Sequence, residues 1–198
     1  MNMSTVMRMT LVPMLAVLAS SAALAHTGHD GHGSALLQGL LHPFGGLDHL
    51  MMALGLGLLM AKAQQHGKGL GLLGLLASLG VGFALAVSGM MANLSLMKAG
   101  AEVGIVASLL LLAVALWQQS RPAVLALLGV LGGFHGMAHG AEIPAALNPW
   151  AFAAGMLISM SVLYMAGTAI GQALRQQVWV KWSPRVVAVG VVAAACLG

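Results

Sequence analysis

The sequence predicts an all-α polytopic membrane protein, with six transmembrane helices following a cleaved signal peptide. Three observations predict it. Of 198 residues, 60% are hydrophobic and 6% are charged, against about 25% charged in soluble domains. Four acidic and eight basic side chains cannot cover a water-facing surface, which excludes an ordinary soluble enzyme and gives the net charge of +4 no value as a nucleic-acid signal. Apolar segments near the ~20 residues that cross a bilayer recur along the chain with brief polar breaks. The basic residues are unevenly shared among those breaks, as the positive-inside rule requires.

Residues 1–25 read as the signal peptide. Arg8 precedes a short apolar run interrupted by Pro13, and Ala23-Leu24-Ala25 gives the small-x-small cleavage pattern. Residues 26–35 form a leader carrying His26, His29, Asp30 and His32, read equally well as metal capture or as an unstructured tail. Residues 36–198 form the transmembrane domain, with helices expected at roughly 36–61, 70–92, 101–118, 123–141, 150–173 and 184–198. The breaks are Gln64–Lys68, Asn93, Arg121-Pro122, Ile143-Pro144 with Asn148-Pro149, and Gln176-Gln177; the last helix is short for a span.

A bacterial inner-membrane protein whose mature N-terminus is periplasmic would hold Lys62, Lys68, Arg121, Arg175, Lys181 and Arg185 inside and Lys98 outside. Trp117, Trp150, Trp179 and Trp182 fall near helix ends, where indole rings settle in the headgroup layer. Cys196 has no partner for a disulfide and reads as a small buried side chain. Met51 and Met52 read as core packing before weak thioether ligation.

The chemistry lies in two polar clusters. Helix one opens with His42-Pro43-Phe44-Gly45-Gly46-Leu47-Asp48-His49, and helix four closes with Phe134-His135-Gly136-Met137-Ala138-His139-Gly140-Ala141-Glu142. Ionisable groups at membrane depth are costly unless paired, ion-bound or facing water. His135 and His139 are four residues apart and share a helical face, with Glu142 three further along. In a regular helix one, His42 and His49 would align and Asp48 would lie about 100° away. Pro43, Gly45 and Gly46 either break that helix or simply start it. The topology puts both clusters on the outer side, with Glu102 as a further, weaker candidate. Imidazole and carboxylate suit divalent nickel, cobalt or zinc. Gly132, Gly136 and Gly140 form a small-residue ridge whose close helix contact is expected to bring partner ligands within reach.

The two motifs resemble those of the HupE/UreJ family of hydrogenase and urease accessory membrane proteins. The resemblance covers essentially the whole chain. It implies a permease for divalent nickel, or cobalt, supplying hydrogenase or urease, and it singles out His42, Asp48, His49, His135, His139 and Glu142. The ion is cargo, and neither a resident cofactor nor an enzymatic activity is expected; the partners are the ion and membrane lipid. Two other readings use the same residue types: an intramembrane zinc hydrolase, for which no serine or tyrosine constellation is apparent, and a metal-binding assembly factor that moves nothing. No G-x-x-x-x-G-K-[ST] motif occurs, since Gly67-Lys68 is followed by Gly69. The membrane potential suffices for uptake, because a divalent cation moving inward gains about 4.6 kcal/mol per 100 mV.

Overall fold

A computed structural model describes residues 34–89, 94–118, 122–174 and 183–197. The expected signal peptide and the leader histidines lie outside these residues, as do Arg121, Arg175, Lys181, Trp179 and Trp182. All regular structure among the described residues is helical: α1 (Ala35–Gly45), α2 (Leu47–Met60), α3 (Gln65–Val87), α4 (Leu94–Gln118), α5 (Pro122–Glu142), α6 (Pro149–Leu174) and α7 (Ser183–Leu197).

The first expected helix is two helices. Ser34 caps α1 by accepting from the Leu37 N–H at 3.3 Å. Gly46, extended at φ −109° and ψ 120°, ends α1 and opens α2, and the two axes are bent by 79°. At 11 residues, α1 is about 16 Å long, too short to cross a bilayer alone. A Cβ on Gly46 would lie 2.5 Å from His49 Nδ1 and 2.7 Å from Asp48 Oδ1, so a side chain there would displace that pair.

The second expected helix is displaced toward the N-terminus. Residues 65–68, read as a break, form the first turn of α3. The helix ends at Val87 because Gly89 takes the left-handed conformation, φ +68°, with its N–H bonded to Ala86 O. The sixth element begins where expected, because Asn148 Oδ1 accepts from the Trp150 and Ala151 N–H groups at 3.0 and 3.1 Å.

Three described helices are long and apolar enough to cross a membrane, Gln65–Val87, Ala99–Trp117 and Pro149–Leu174, or four if the bent α1–α2 pair is one span. Exposed Leu73, Val81, Val103 and Ile158 give these helices an apolar outer surface. The core gathers Met52, Leu56, Leu79, Phe83, Leu112, Met156, Met160 and Tyr164 from α2, α3, α4 and α6.

Glycine sets the helix spacing. The most extensive packing is α3 against α5, where Gly82 abuts the Gly133 carbonyl and Gly136 abuts the Leu79 carbonyl. At these crossings backbone meets backbone, as in small-xxx-small membrane contacts. The ridge Gly132, Gly136 and Gly140 therefore faces Ser78, Leu79 and Phe83 of α3. It was expected to lie against the helix bearing the partner ligands, which instead meets another side of α5. A second seam joins α6 to α1 and α2, through Gly155 against Leu36 and Gly167 against Leu54. The Ser159 hydroxyl adds a hydrogen bond to the Leu40 carbonyl.

Candidate metal centre

The break at Gly46 determines what α1 and α2 present. His42 lies in the last turn of α1, where helix carbonyls favour positive charge, and Asp48 in the first turn of α2, where helix N–H groups favour negative charge. The bend brings both, with His49, against His135 and His139 of α5. His49, His135 and His139 are buried, and the Asp48 side chain is 23% exposed. His42 is half-buried against the Phe152 ring, with centroids 5.3 Å apart.

His49 is the centre of the cluster. Its Nδ1–H donates to Asp48 Oδ1 at 2.7 Å, which leaves the Nε2 lone pair of a neutral ring directed at His139 Nε2. His139 Nδ1 in turn lies 3.0 Å from His42 Nε2. On the other side of Asp48, Oδ2 is 3.8 Å from His135 Nδ1, too far for a hydrogen bond. His135 Nδ1 is buried without a hydrogen-bond partner, whereas its Nε2 is 2.9 Å from Ser108 Oγ of α4.

Two sets of donor atoms result, each lying within 4.8 Å of one another: His42, His49 and His139, and Asp48, His49 and His135. The sets share His49. Together they offer four imidazoles and one carboxylate, a donor set suited to borderline divalent metals. The solitary carboxylate leaves the cluster with one negative charge when the rings are neutral, so a divalent ion is electrostatically favoured.

Five of the seven expected ligands thus come together. Glu142 and Glu102 are both exposed and belong to neither set. Glu142 lies past His139 on the final residue of α5, and Glu102 sits two turns before Ser108 on α4. The regular-helix expectation for His42 and His49 is replaced by an edge-on contact across the bend, with ring centroids 5.4 Å apart. Ser108 is the residue that sequence reasoning missed. Its signal is faint but present: it is the one hydroxyl between Glu102 and Trp117 in an otherwise apolar run.

Ser108, His135 and Asp48 have the order of a nucleophile, base and acid, and their geometry argues against that use. Ser108 is fully buried and its hydroxyl is 2.7 Å from the Ile105 carbonyl; His135 lacks the orienting hydrogen bond to Asp48 that such a triad requires.

Fold and site define a class: a helical membrane protein that gathers imidazole and carboxylate donors at a broken helix. Comparison with known proteins narrows it. The chain belongs to the HupE/UreJ family, matching the HupE / UreJ protein description over residues 14–197. It is 29% identical to Protein HupE of Rhizobium leguminosarum bv. viciae over 160 residues, 79% of this chain and 80% of that relative. No solved structure matches the chain. The family is one of transporter and accessory proteins, not of enzymes.

Proposed function

We propose that the protein is a secondary permease that carries divalent nickel, and secondarily cobalt, into a bacterial cell for hydrogenase or urease. The observation that carries this reading is the pair of donor sets sharing His49, built by three helices within an apolar, membrane-type protein. A structural role for buried histidines calls for hydrogen-bond partners on their nitrogens. Here one buried nitrogen is unpartnered and faces a carboxylate across a gap that a cation would fill.

Two adjoining sets with one common ligand also suit movement better than storage. An ion held by His42, His49 and His139 exchanges ligands with Asp48 and His135 while His49 rotates or switches nitrogens, so it is never stripped of all protein donors at once. Six spans with a periplasmic mature N-terminus place the cluster toward the outer face, and the membrane potential supplies the inward driving force.

Proteoliposomes with an imposed inside-negative potential test this. Radioactive nickel is expected to accumulate, to be competed by cobalt, and to leak slowly when the potential is collapsed. Saturable binding without accumulation would overturn transport in favour of a metal-holding accessory role; no binding would overturn both.

A further inference from the structure

Ser108 belongs to neither sequence motif, yet it reaches the site from α4 through His135. Its side chain is completely buried, with Oγ 2.7 Å from the Ile105 carbonyl and 2.9 Å from His135 Nε2. A hydroxyl has one proton and a carbonyl can only accept, so the shorter contact takes the serine proton and Ser108 Oγ is left as an acceptor. His135 then donates from Nε2–H to Ser108, and its Nδ1 carries a lone pair.

The other assignment is worse at the serine. If Ser108 donated to Nε2, the carbonyl contact would lose its proton. Nδ1 lies 3.8 Å from Asp48 Oδ2 and is buried without a hydrogen-bond partner in either assignment, so the serine contact decides between them. In the favoured assignment a lone pair and a carboxylate oxygen face each other across the same gap. They repel when nothing lies between them and become two converging ligands when a cation does.

We infer that Ser108 is a positioning residue for the metal: by accepting the His135 Nε2–H, it fixes the tautomer and ring orientation that present Nδ1 beside Asp48 and His49. This rests on the metal-binding reading above and adds a determinant of affinity outside the ligand set. The physical basis is general, since the hydrogen bond on one imidazole nitrogen decides which nitrogen ligates.

The test uses the full chain purified in detergent, with cobalt(II) as the probe because its visible ligand-field bands report the donor set. Wild type is expected to bind cobalt saturably. Ser108→Ala is expected to weaken binding by roughly 10- to 100-fold and shift the bands, whereas Ser108→Thr, which keeps the hydroxyl, stays within about threefold of wild type. In a His135→Ala background, Ser108→Ala is expected to have no further effect. Nitrogen-15 spectra of histidine-labelled, metal-free wild type, assigned by loss of one signal in His135→Gln, are expected to show His135 protonated at Nε2; this arm needs no serine variant to fold. Wild-type binding with unchanged Ser108→Ala affinity and bands, or a His135 protonated at Nδ1, would overturn the role of Ser108 alone. Absence of saturable binding to wild type would overturn the metal reading and this inference with it.

Discussion

Helix α5 has two faces that do opposite work. One carries Gly132, Gly136 and Gly140 and lies backbone to backbone on α3, with no ionisable group in the seam. The other carries His135 and His139 and meets the bend between α1 and α2, where His139 lies 3.0 Å from His42 and His135 lies 3.8 Å from Asp48. The first face has no chemistry and sets distance; the second has no tight backbone packing and sets valence. A ligand cluster drawn from separate helices needs both, because imidazoles hold a metal only if the helices bearing them cannot drift apart.

The largest expected effect comes from the ligand face. His49→Ala and His139→Ala should each lower nickel uptake by roughly 100-fold or more, with protein levels in the membrane unchanged. The double variant should be scarcely worse than either single, since groups that act as a unit are non-additive. Multiplicative losses, with one ion still bound tightly by each single variant, would show that the two sets are separate sites in series.

The glycine face should fail differently. Gly136→Val places a branched side chain where even a Cβ meets the Leu79 carbonyl and lies 2.8 Å from Phe83 N. Separating α3 from α5 should cost about 1–3 kcal/mol of stability, read as a lowered thermal midpoint in detergent. Any metal affinity lost would be a consequence of that separation. Normal stability with lost binding would contradict the division of labour between the faces.

A smaller effect is expected at the hinge between α1 and α2. Gly46→Ala puts a methyl against Asp48 Oδ1 and His49 Nδ1, and should weaken metal binding about tenfold by displacing that pair, a loss in the range typical of altered ligand support. The smallest concerns Glu142. It is exposed and outside both donor sets, so Glu142→Gln should change equilibrium affinity by less than about threefold, the scale of a screened surface charge. A large loss of affinity would bring Glu142 into the site in the ion-bound state.

The particular residues show what the sequence made legible. Ionisable groups are so rare in this chain that His42, Asp48, His49, His135 and His139 stood out, and the fold brings all five together. The glycine spacing announced a close crossing but could not say with which helix, because i, i+4 periodicity describes one surface and not its partner. For Pro43 to Gly46 the sequence allowed a break or a helix start; the answer depends on the seam of α1 with α6, a long-range contact. Glu102 entered as a weaker candidate because topology assigns a side of the membrane and not a direction around a helix, and Glu142 entered because its spacing continues the face of His135 and His139 without fixing how far along it the site extends. Ser108 was missed because a single hydroxyl in an apolar helix commonly satisfies its own backbone, which this one also does.

On the proposed reading, the 79° bend makes metal coordination a function of one angle. His42 rides on α1 and Asp48 and His49 on α2, so the set containing His42 spans two levers with a fulcrum at Gly46, while the set containing Asp48 takes only α2 of the two. His42 stands four residues, about 6 Å, from that fulcrum, so a rotation of about 10° carries it through about 1 Å. Metal–ligand bonds tolerate only about 0.2 Å. The seam of α1 on α6, Gly155 against Leu36 and Gly39 against Phe152, holds that angle, so the coordination number of the cargo becomes the quantity that this seam controls.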